Sequence, residues 1–406
     1  MPASARPTIS YLEAPPGTVD LAIVGGGIVG ACTAWLASQA GLSVVVVEKR
    51  PALALLTTPV STGAFRLQFD NPEEIALVRE GVELFDAFAE RTGLAGWDID
   101  VRHQGYLFCA LTEAAADRAR RLVERQRGWG LDDIEVMDGD EARRRWPYLS
   151  ADVIQARYRA GDGWLKPRLL ALGYAAAASR RGAAFSLATE VTGFLRQGER
   201  VTGLRTTRGD VSASTVMLAV GPYLRPVAAM AGLDLDIRPT RRQRLIIPEL
   251  PAIPADAPMV IEEETAAHWR PCYHGCIALF TEAGTPPSEP VDDVPVSRDW
   301  AVALLDPRSD HALSRVTPLF REVWARGDLD WAMMAGQYEM TADRRPLLGP
   351  SPIPGLWVNG GYSGHGVMTS PGGTRIVVEQ LTGRPGSDGH PFAVDRQMVE
   401  REHDVL

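Results

Sequence analysis

The sequence predicts a two-domain α/β fold in which one domain is assembled from separated stretches of chain. Three observations carry this. Residues 21–30, L-A-I-V-G-G-G-I-V-G, run from an apolar strand through a glycine turn into an alanine-rich helical pattern, and a second apolar run, V-V-V-V-E, ends at Glu48; that order is a β-α-β unit. From Val101 the pattern changes to a strand and a strongly charged helix without such signals. Late in the chain, residues 356–366 again pass from an apolar strand into glycines, G-G-Y-S-G-H-G, and then a helix. A chain of 406 residues is long enough to bury two cores.

Residues 1–18 are polar and proline-containing and read as a loose lead-in. The β-α-β unit occupies 19–50, and a stretch rich in Gly, Ser, Thr and Pro then ends in Arg66. Residues 71–90 predict a long helix, with a proline and two glutamates in the first turn and apolar residues at helical spacing. H-Q-G-Y-L-F-C-A-L (103–111) reads as a strand, 113–128 as a charged helix, and 138–149 as a helix stopped by Pro147. At Gly161, G-D-G-W-L-K-P feeds a small-residue helix capped by Gly182, and a strand is expected to end near Glu190 and Val191. V-M-L-A-V-G-P-Y is an apolar strand ending at Gly221. Residues 236–335 alternate strands with a helical segment near 297–325, and 286–295 is a proline-rich surface loop. An amphipathic helix over 374–382 precedes a polar tail. The expected division is 19–100, 161–235 and 336–385 in one domain, 101–160 and 236–335 in a second, and 386–406 as tail.

Gly25, Gly27 and Gly30 fit G-x-G-x-x-G in the strand–turn–helix context that gives this motif meaning. Gly25 turns the chain sharply, Gly27 lets the backbone approach a pyrophosphate, and Gly30 lets helix and strand pack closely. The helix N-terminus offers N–H groups and the positive end of its dipole to the phosphates. Glu48 stands where a carboxylate accepts from a ribose 2′-OH and repels a 2′-phosphate. The motif serves FAD or NAD equally. The late glycine cluster suits a flavin edge on which negative charge builds during reduction, and favours FAD.

The net charge of −9 argues against nucleic acid or an anionic membrane surface as partner. No apolar run approaches the ~20 residues that span a bilayer, and the first ten residues lack a secretory core. A cytoplasmic enzyme is expected. Four cysteines make no disulfide framework, and C-Y-H-G-C (272–276) with His268 and His274 lacks the second clustered pair of a zinc site, so no metal is expected. Lys49 and Lys166 are the only lysines against forty arginines, which excludes any mechanism that needs a lysine in the C-terminal half.

The segments G-G-G-I-V-G with Glu48, S-T-G-A-F-R-L-Q-F, G-D-G-W-L-K-P, L-A-V-G-P-Y, M-T-A-D-R-R-P-L-L-G and G-Y-S-G-H-G-V-M-T-S-P lie in order over nearly the whole chain. Together they resemble the glycine, D-amino-acid and sarcosine oxidase group of FAD-dependent amine oxidoreductases, with sarcosine oxidase, the β-type subunits of its heterotetrameric form and related proline dehydrogenases nearest in look. The resemblance implies a glutathione-reductase-like FAD-binding Rossmann domain and a substrate domain with a mixed, largely antiparallel sheet over the flavin. It implies cofactor contacts from Gly25, Gly27, Ile28, Val29 and Gly30, from Glu48 and Lys49, and from Thr62, Gly63 and Arg66 in the loop covering the ring. Val191 and Gly221 would serve the adenosine half and the turn beside it. Gly361, Gly364, His365, Gly366, Val367 and Met368 would line the flavin.

Four departures from the family pattern stand out. Its monomeric sarcosine oxidases attach FAD to a cysteine where this chain reads Ala335-Gly336-Gln337, and no cysteine follows Cys276, so FAD is expected to be non-covalent. A lysine that helps hold a substrate carboxylate is replaced by Met368. A second, linked to oxygen activation, matches a position near Ala278. The third member of the familiar T-P-D is kept, but the proline is Ala342.

Flavin amine oxidation takes a hydride equivalent from carbon beside an unprotonated nitrogen, so a nonpolar pocket and orientation matter more than an obligatory acid or base. Arg66 and Arg270 are the candidate cations for a substrate carboxylate, with a plain ion-pair role as the alternative for Arg270. His365 is read either as a proton relay or as a residue that positions its turn. His268, Trp269 and Tyr273, and likewise Tyr338 and Tyr362, are read as pocket walls or as core aromatics. The expected function is oxidation of the C–N bond of a secondary amine or N-substituted amino acid, with oxygen or another electron acceptor. A flavin-dependent 2-hydroxy acid oxidoreductase and an electron-passing subunit of a larger complex are the alternatives, and a partner subunit or homo-oligomer stays open.

Overall fold

The computed structural model describes residues 8–282, 284–385 and 387–400; the ends of the expected lead-in (1–7) and tail (401–406) lie outside these. Two large sheets organise the chain. In the first, Thr18–Val24 runs parallel to Val44–Val47 on one side and to Val211–Leu218 on the other. Leu21–Val24 and Val44–Val47 are all buried. Their unbroken apolar runs are what a strand covered on both faces requires. Ala184–Ser186 extends this parallel run on one side, and Leu356–Gly360 joins the far end of Val211–Leu218. The helices Ile28–Gln39, Pro167–Ser179 and Gly366–Leu381 pack as a layer with Pro72–Asp86 over one face, in one apolar cluster. Because the central strands are parallel, Val24, Val47, Leu218 and Gly360 end on the same edge, where open α/β sheets bind ligands.

The second sheet has eight strands, and only Tyr106–Ala110 beside Met259–Glu262 is parallel. It is mixed and largely antiparallel, as expected. Its strands come from 106–159 and 238–340, and the last, Ala332–Met340, returns alongside Arg238–Ile247. Side chains alternate across it. Leu107, Cys109, Leu245, Ile247, Trp269, Cys276 and Ala278 enter a core beneath Arg298–Leu305 and Leu319–Arg326. The opposite face carries Tyr106, Phe108, Met259 and Ile261, with Arg242, Arg244 and Arg270 in matching register.

Several elements differ from expectation. The last helix begins at Gly366, eight residues before the predicted 374, with Pro371 inside it. Pro371 and the glycines beside it weaken an isolated helix. Here, however, a Cβ on Gly372 would lie 3.0 Å from Leu77 Cα, so these small residues let two helices approach closely. The segment near 297–325 is Arg298–Leu305, a 3₁₀ turn at Leu313–Arg315 and Leu319–Arg326, interrupted at Pro307 and Pro318. The strand expected to end near Val191 stops at Ser186, and Val191 starts the next. Within the lead-in, Tyr11–Leu12 adds a parallel edge strand to Phe185–Ser186. The tail is not wholly free: Phe392 and Val394 are buried, and Arg396 pairs with Asp343 at 2.8 Å.

Candidate functional site: a dinucleotide cavity and a neighbouring cleft

The first turn is built by contact. Gly25 has φ +103°, and a Cβ on Gly30 would lie 1.9 Å from the Gly25 carbonyl oxygen, so neither position accepts a side chain without moving backbone. Gly27 is different: a Cβ there meets only Thr58 Oγ1, at 3.7 Å, and would project into a cavity. Glu48 Oε2 accepts from Gly26 N–H at 2.6 Å and Oε1 from Arg50 N–H at 2.8 Å, which fixes the carboxylate at the tip of its strand. Thr58 Oγ1 accepts from Ile28 N–H at 3.2 Å.

Roughly 800 Å³ of empty space opens along Gly25, Gly27, Glu48, Lys49, Val191 and Gly221. A second space, of about 590 Å³, is bounded by Ile28, Val29, Tyr338, Tyr362, Gly364, Gly366 and Val367. The two share Thr57, Thr58, Ala219, Gly221 and Pro222 as wall residues, so they form one elongated channel from the Glu48 strand to the late glycine cluster. Over its Glu48 end lies the 286–295 loop: Asp292 pairs with Lys49 at 2.9 Å and with Arg50 at 2.6 Å, and accepts a hydrogen bond from Tyr223. The Tyr223 hydroxyl, then Lys49, hold the Asp292 carboxyl down at about 2.

The glycine-cluster end is rigid. Asn359 is fully buried; its amide donates to Thr33 and Thr374 at 3.0 Å each, and its carbonyl oxygen accepts from the Tyr362 hydroxyl at 2.5 Å. Four elements are thereby joined just before the turn, and nothing local in the sequence marks Asn359 for this.

Other expected site residues stand elsewhere. Arg66 is buried, with its guanidinium 4.5 Å from the Phe69 ring centre, and donates to Gln68 O at 3.0 Å; burial pulls its pKa down. It lines neither cavity, because Asp162 holds its loop inward. Asp162 is 0% exposed and accepts from Leu67 N–H, the Gln68 amide and Arg159, at 2.9, 2.9 and 2.7 Å. His365 turns away from the channel to Glu74, 3.1 Å distant, and packs edge-on against Phe69. Met368 is buried in the helix layer, its carbonyl against Gly81. Gly63 packs on the Leu165 carbonyl, and Gly361 on Thr341. His268 is buried, with burial pushing its pKa down to about 4, and its Nδ1 lies 2.8 Å from Ala266 O. Tyr273, 78% exposed, sits at the tip of the hairpin between His268–Cys272 and Gly275–Leu279.

Across the 59–62 segment from the channel is a wide cleft walled by Trp164, Arg244, Arg270, Cys272, Tyr273 and Ile277. Ser61 faces both spaces. Two arginines of the second sheet hold this partition: Arg244 donates to the carbonyls of Pro59 and Ser61 at 3.1 and 2.8 Å, and Arg270 to that of Thr62 at 2.6 and 3.1 Å. Arg270 is thus no surface ion pair; it also lies 5.1 Å from the Trp164 ring centre. Arg244 was not legible in sequence, because the carbonyls it holds are 183 and 185 residues away. Arg270→Met is expected to leave the sheet intact and raise amide hydrogen exchange across 57–65 at least tenfold, equivalent to losing about 1.4 kcal/mol of local stability.

The channel fits an extended dinucleotide. Its first end has the glycine approach and carboxylate, its far end a space bounded by Tyr338 and Tyr362. Residues 20–380 match the family described as DAO, FAD dependent oxidoreductase. The chain belongs to that family. It is 25% identical over 433 residues to a D-amino acid dehydrogenase of Cereibacter sphaeroides, covering 93% of this chain and 95% of that one. It is 25% identical over 395 residues to the sarcosine oxidase subunit beta of an Arthrobacter species, covering 94% and 92%. The structure of glycine oxidase from Geobacillus kaustophilus superposes with a TM-score of 0.80 at 25% identity, over 95% of this chain and all of that one. This DAO-family chain is an FAD-dependent oxidoreductase. Among its described residues no helix is long and apolar enough to cross a membrane, and no group of His, Cys, Asp and Glu could hold a metal.

Proposed function

We propose that this enzyme oxidises the C–N bond of a small amine, of the secondary-amine or N-substituted amino-acid class, to an imine that hydrolyses. The observation that carries the reading is the single channel from Glu48 to Gly366, with an arginine-walled cleft just across the 59–62 segment. Glu48 would hold the ribose, the turn at 25–30 the pyrophosphate, and the turn at 364–367 the flavin. Bound there, FAD supplies a two-electron acceptor for the hydride. Arg270 and Arg244, held by backbone carbonyls of the 59–62 segment, present positive charge to a carboxylate entering from the cleft, which would orient the C–H bond. Tyr106, Phe108, Trp164, Met259 and Ile261 form an apolar layer on the sheet face. Such surroundings disfavour an ammonium and leave the nitrogen neutral for reaction.

The four cysteines are unpaired; Cys32, Cys109 and Cys276 are buried, and Cys272 faces the cleft. Unpaired cysteines suit a reducing, cytoplasmic setting, and none of the four lines the channel, which favours FAD held without a covalent bond. The absence of a lysine near Ala278 favours a dehydrogenase passing electrons to an acceptor other than oxygen, and one relative is named a D-amino acid dehydrogenase. The two sheets are proposed to be the cofactor and substrate domains.

Anaerobic mixing with a panel of secondary amines, N-methyl amino acids and 2-hydroxy acids tests the substrate class. Flavin bleaching by an amine and not by hydroxy acids is the expected result. Bleaching by hydroxy acids alone overturns it. Steady turnover of the amine by the purified chain with a dye acceptor distinguishes an enzyme from an electron-passing subunit.

A further inference from the structure

Among the described residues, the cleft and the flavin end of the channel have one wall residue in common, Ser61. The 59–62 segment therefore stands between the two arginines of the cleft and the space proposed for the ring. In an amino acid the carbon that yields a hydride is the α-carbon or part of the N-substituent, within a few bonds of the carboxylate. A carboxylate held by Arg244 and Arg270 from the cleft would leave that carbon on the far side of the segment from the flavin. One small substrate reaches both only if 59–62 moves.

The segment is lightly held. Pro59, Val60, Ser61 and Thr62 are each only partly buried, and Thr57–Val60 is a single helical turn. Its two ends are anchored: the Thr58 hydroxyl accepts from Ile28 N–H at 3.2 Å, and the Gly63 carbonyl accepts from Leu165 N–H at 3.0 Å. Between these anchors, the hydrogen bonds that the second sheet makes to the segment all come from Arg244 and Arg270, to the carbonyls of Pro59, Ser61 and Thr62. Arg270 commits Nε and Nη2 together to the Thr62 oxygen, an edge that a carboxylate takes with two oxygens. Among the described residues neither guanidinium pairs with an acid; beyond the segment they reach Met334 Sδ, the Pro271 carbonyl and the Cys272 thiol. Burial pulls both pKa values down, with no carboxylate to offset it.

We propose that the 59–62 segment is a gate and that a substrate carboxylate opens it, by taking Arg270 and Arg244 from the carbonyls they now hold. The inference rests on the reading of these arginines as the carboxylate site. A guanidinium bond to a carboxylate is roughly twice as strong as a bond between neutral groups, so the exchange favours the anion. The freed carbonyls of Pro59, Ser61 and Thr62 turn to water in the cleft. The segment swings between Thr58 and Gly63, and the cleft and the flavin space become one pocket. An amine without a carboxylate leaves the gate shut. The device thus selects amino acids over plain amines before any C–H bond is presented to the ring.

Amide hydrogen exchange of the FAD-loaded full chain tests this, with acetate as an unreactive carboxylate and acetamide as its uncharged counterpart. Binding itself is read from broadening of the acetate methyl resonance. Acetate is expected to speed exchange across 57–65 about tenfold, and acetamide to leave it unchanged. In Arg270→Met, exchange there should be fast from the outset and acetate should add nothing. The parent measurement needs no variant to fold. Acetate that binds while exchange across 57–65 stays the same or slows overturns the gate and leaves the carboxylate site standing. So does an Arg270→Met chain that starts slow and responds to acetate as the parent does. Acetate whose resonance broadens no more than that of acetamide overturns the carboxylate site and the gate together.

Discussion

Replacing Gly27 with valine is expected to give a protein that folds and stays colourless. The position has φ −76° and ψ −172°, extended backbone that a β-branched residue adopts readily. The nearest atom to an added Cβ is Thr58 Oγ1 at 3.7 Å, so the side chain meets open space. As an N-cap, valine is poorer than glycine, a cost on the order of 1 kcal/mol that a packed domain withstands. The methyl groups would stand where the pyrophosphate must approach backbone N–H groups. FAD affinity should fall at least ~100-fold, about 3 kcal/mol, with circular dichroism and melting of the flavin-free chain nearly unchanged. Gly30→Ala makes the contrast: its Cβ would sit 1.9 Å from the Gly25 carbonyl oxygen, so fold and flavin should be lost together. If Gly27→Val binds FAD as tightly as the parent, the pyrophosphate does not lie at this turn.

Asp162→Ala is expected to cost the most stability of any single change considered. Its carboxylate, wholly enclosed, satisfies one backbone N–H, one amide and one guanidinium. Burial pushes its pKa up, while Arg159 foremost, then the Gln68 amide and Leu67 N–H, favour the charged form. Alanine leaves those three donors unpaired and Arg159 without its inner partner, since Asp133 holds only the guanidinium's exposed side. Breaking a buried charge network from one side costs about 3–5 kcal/mol. The loss should appear as a lower urea midpoint with an unchanged slope. Because the bonded groups belong to Leu67 and Gln68, the loop carrying Arg66 should also become protease-sensitive. A loss below ~1 kcal/mol would mean that the network is not built as described.

The sequence made the first end of the channel plain, because the chemistry there is local: a strand, three glycines, a helix and Glu48 lie within thirty residues. The parallel unit was legible for the same reason, through its strand–helix–strand order and apolar runs; the mixed, largely antiparallel sheet was expected from the family resemblance and not from local pattern. Residues whose role depends on distant partners were not legible. Asp162 meets Gln68 across 94 positions, Arg244 meets Ser61 across 183, and Asn359 meets Thr33 across 326. His365 and Met368, taken from a motif, were placed at the flavin by position alone. The turn carries them near the channel, but helix packing and the Glu74 partner point both away from its wall.

The central claim is one non-covalent FAD in a channel running from Glu48 to Gly366. A visible spectrum of the purified chain, before and after acid precipitation, tests it most directly. Bands near ~375 and ~450 nm are predicted, passing with the FAD into the supernatant. Colour that stays in the pellet would contradict non-covalent attachment, and a protein that neither carries nor takes up flavin would contradict the site itself.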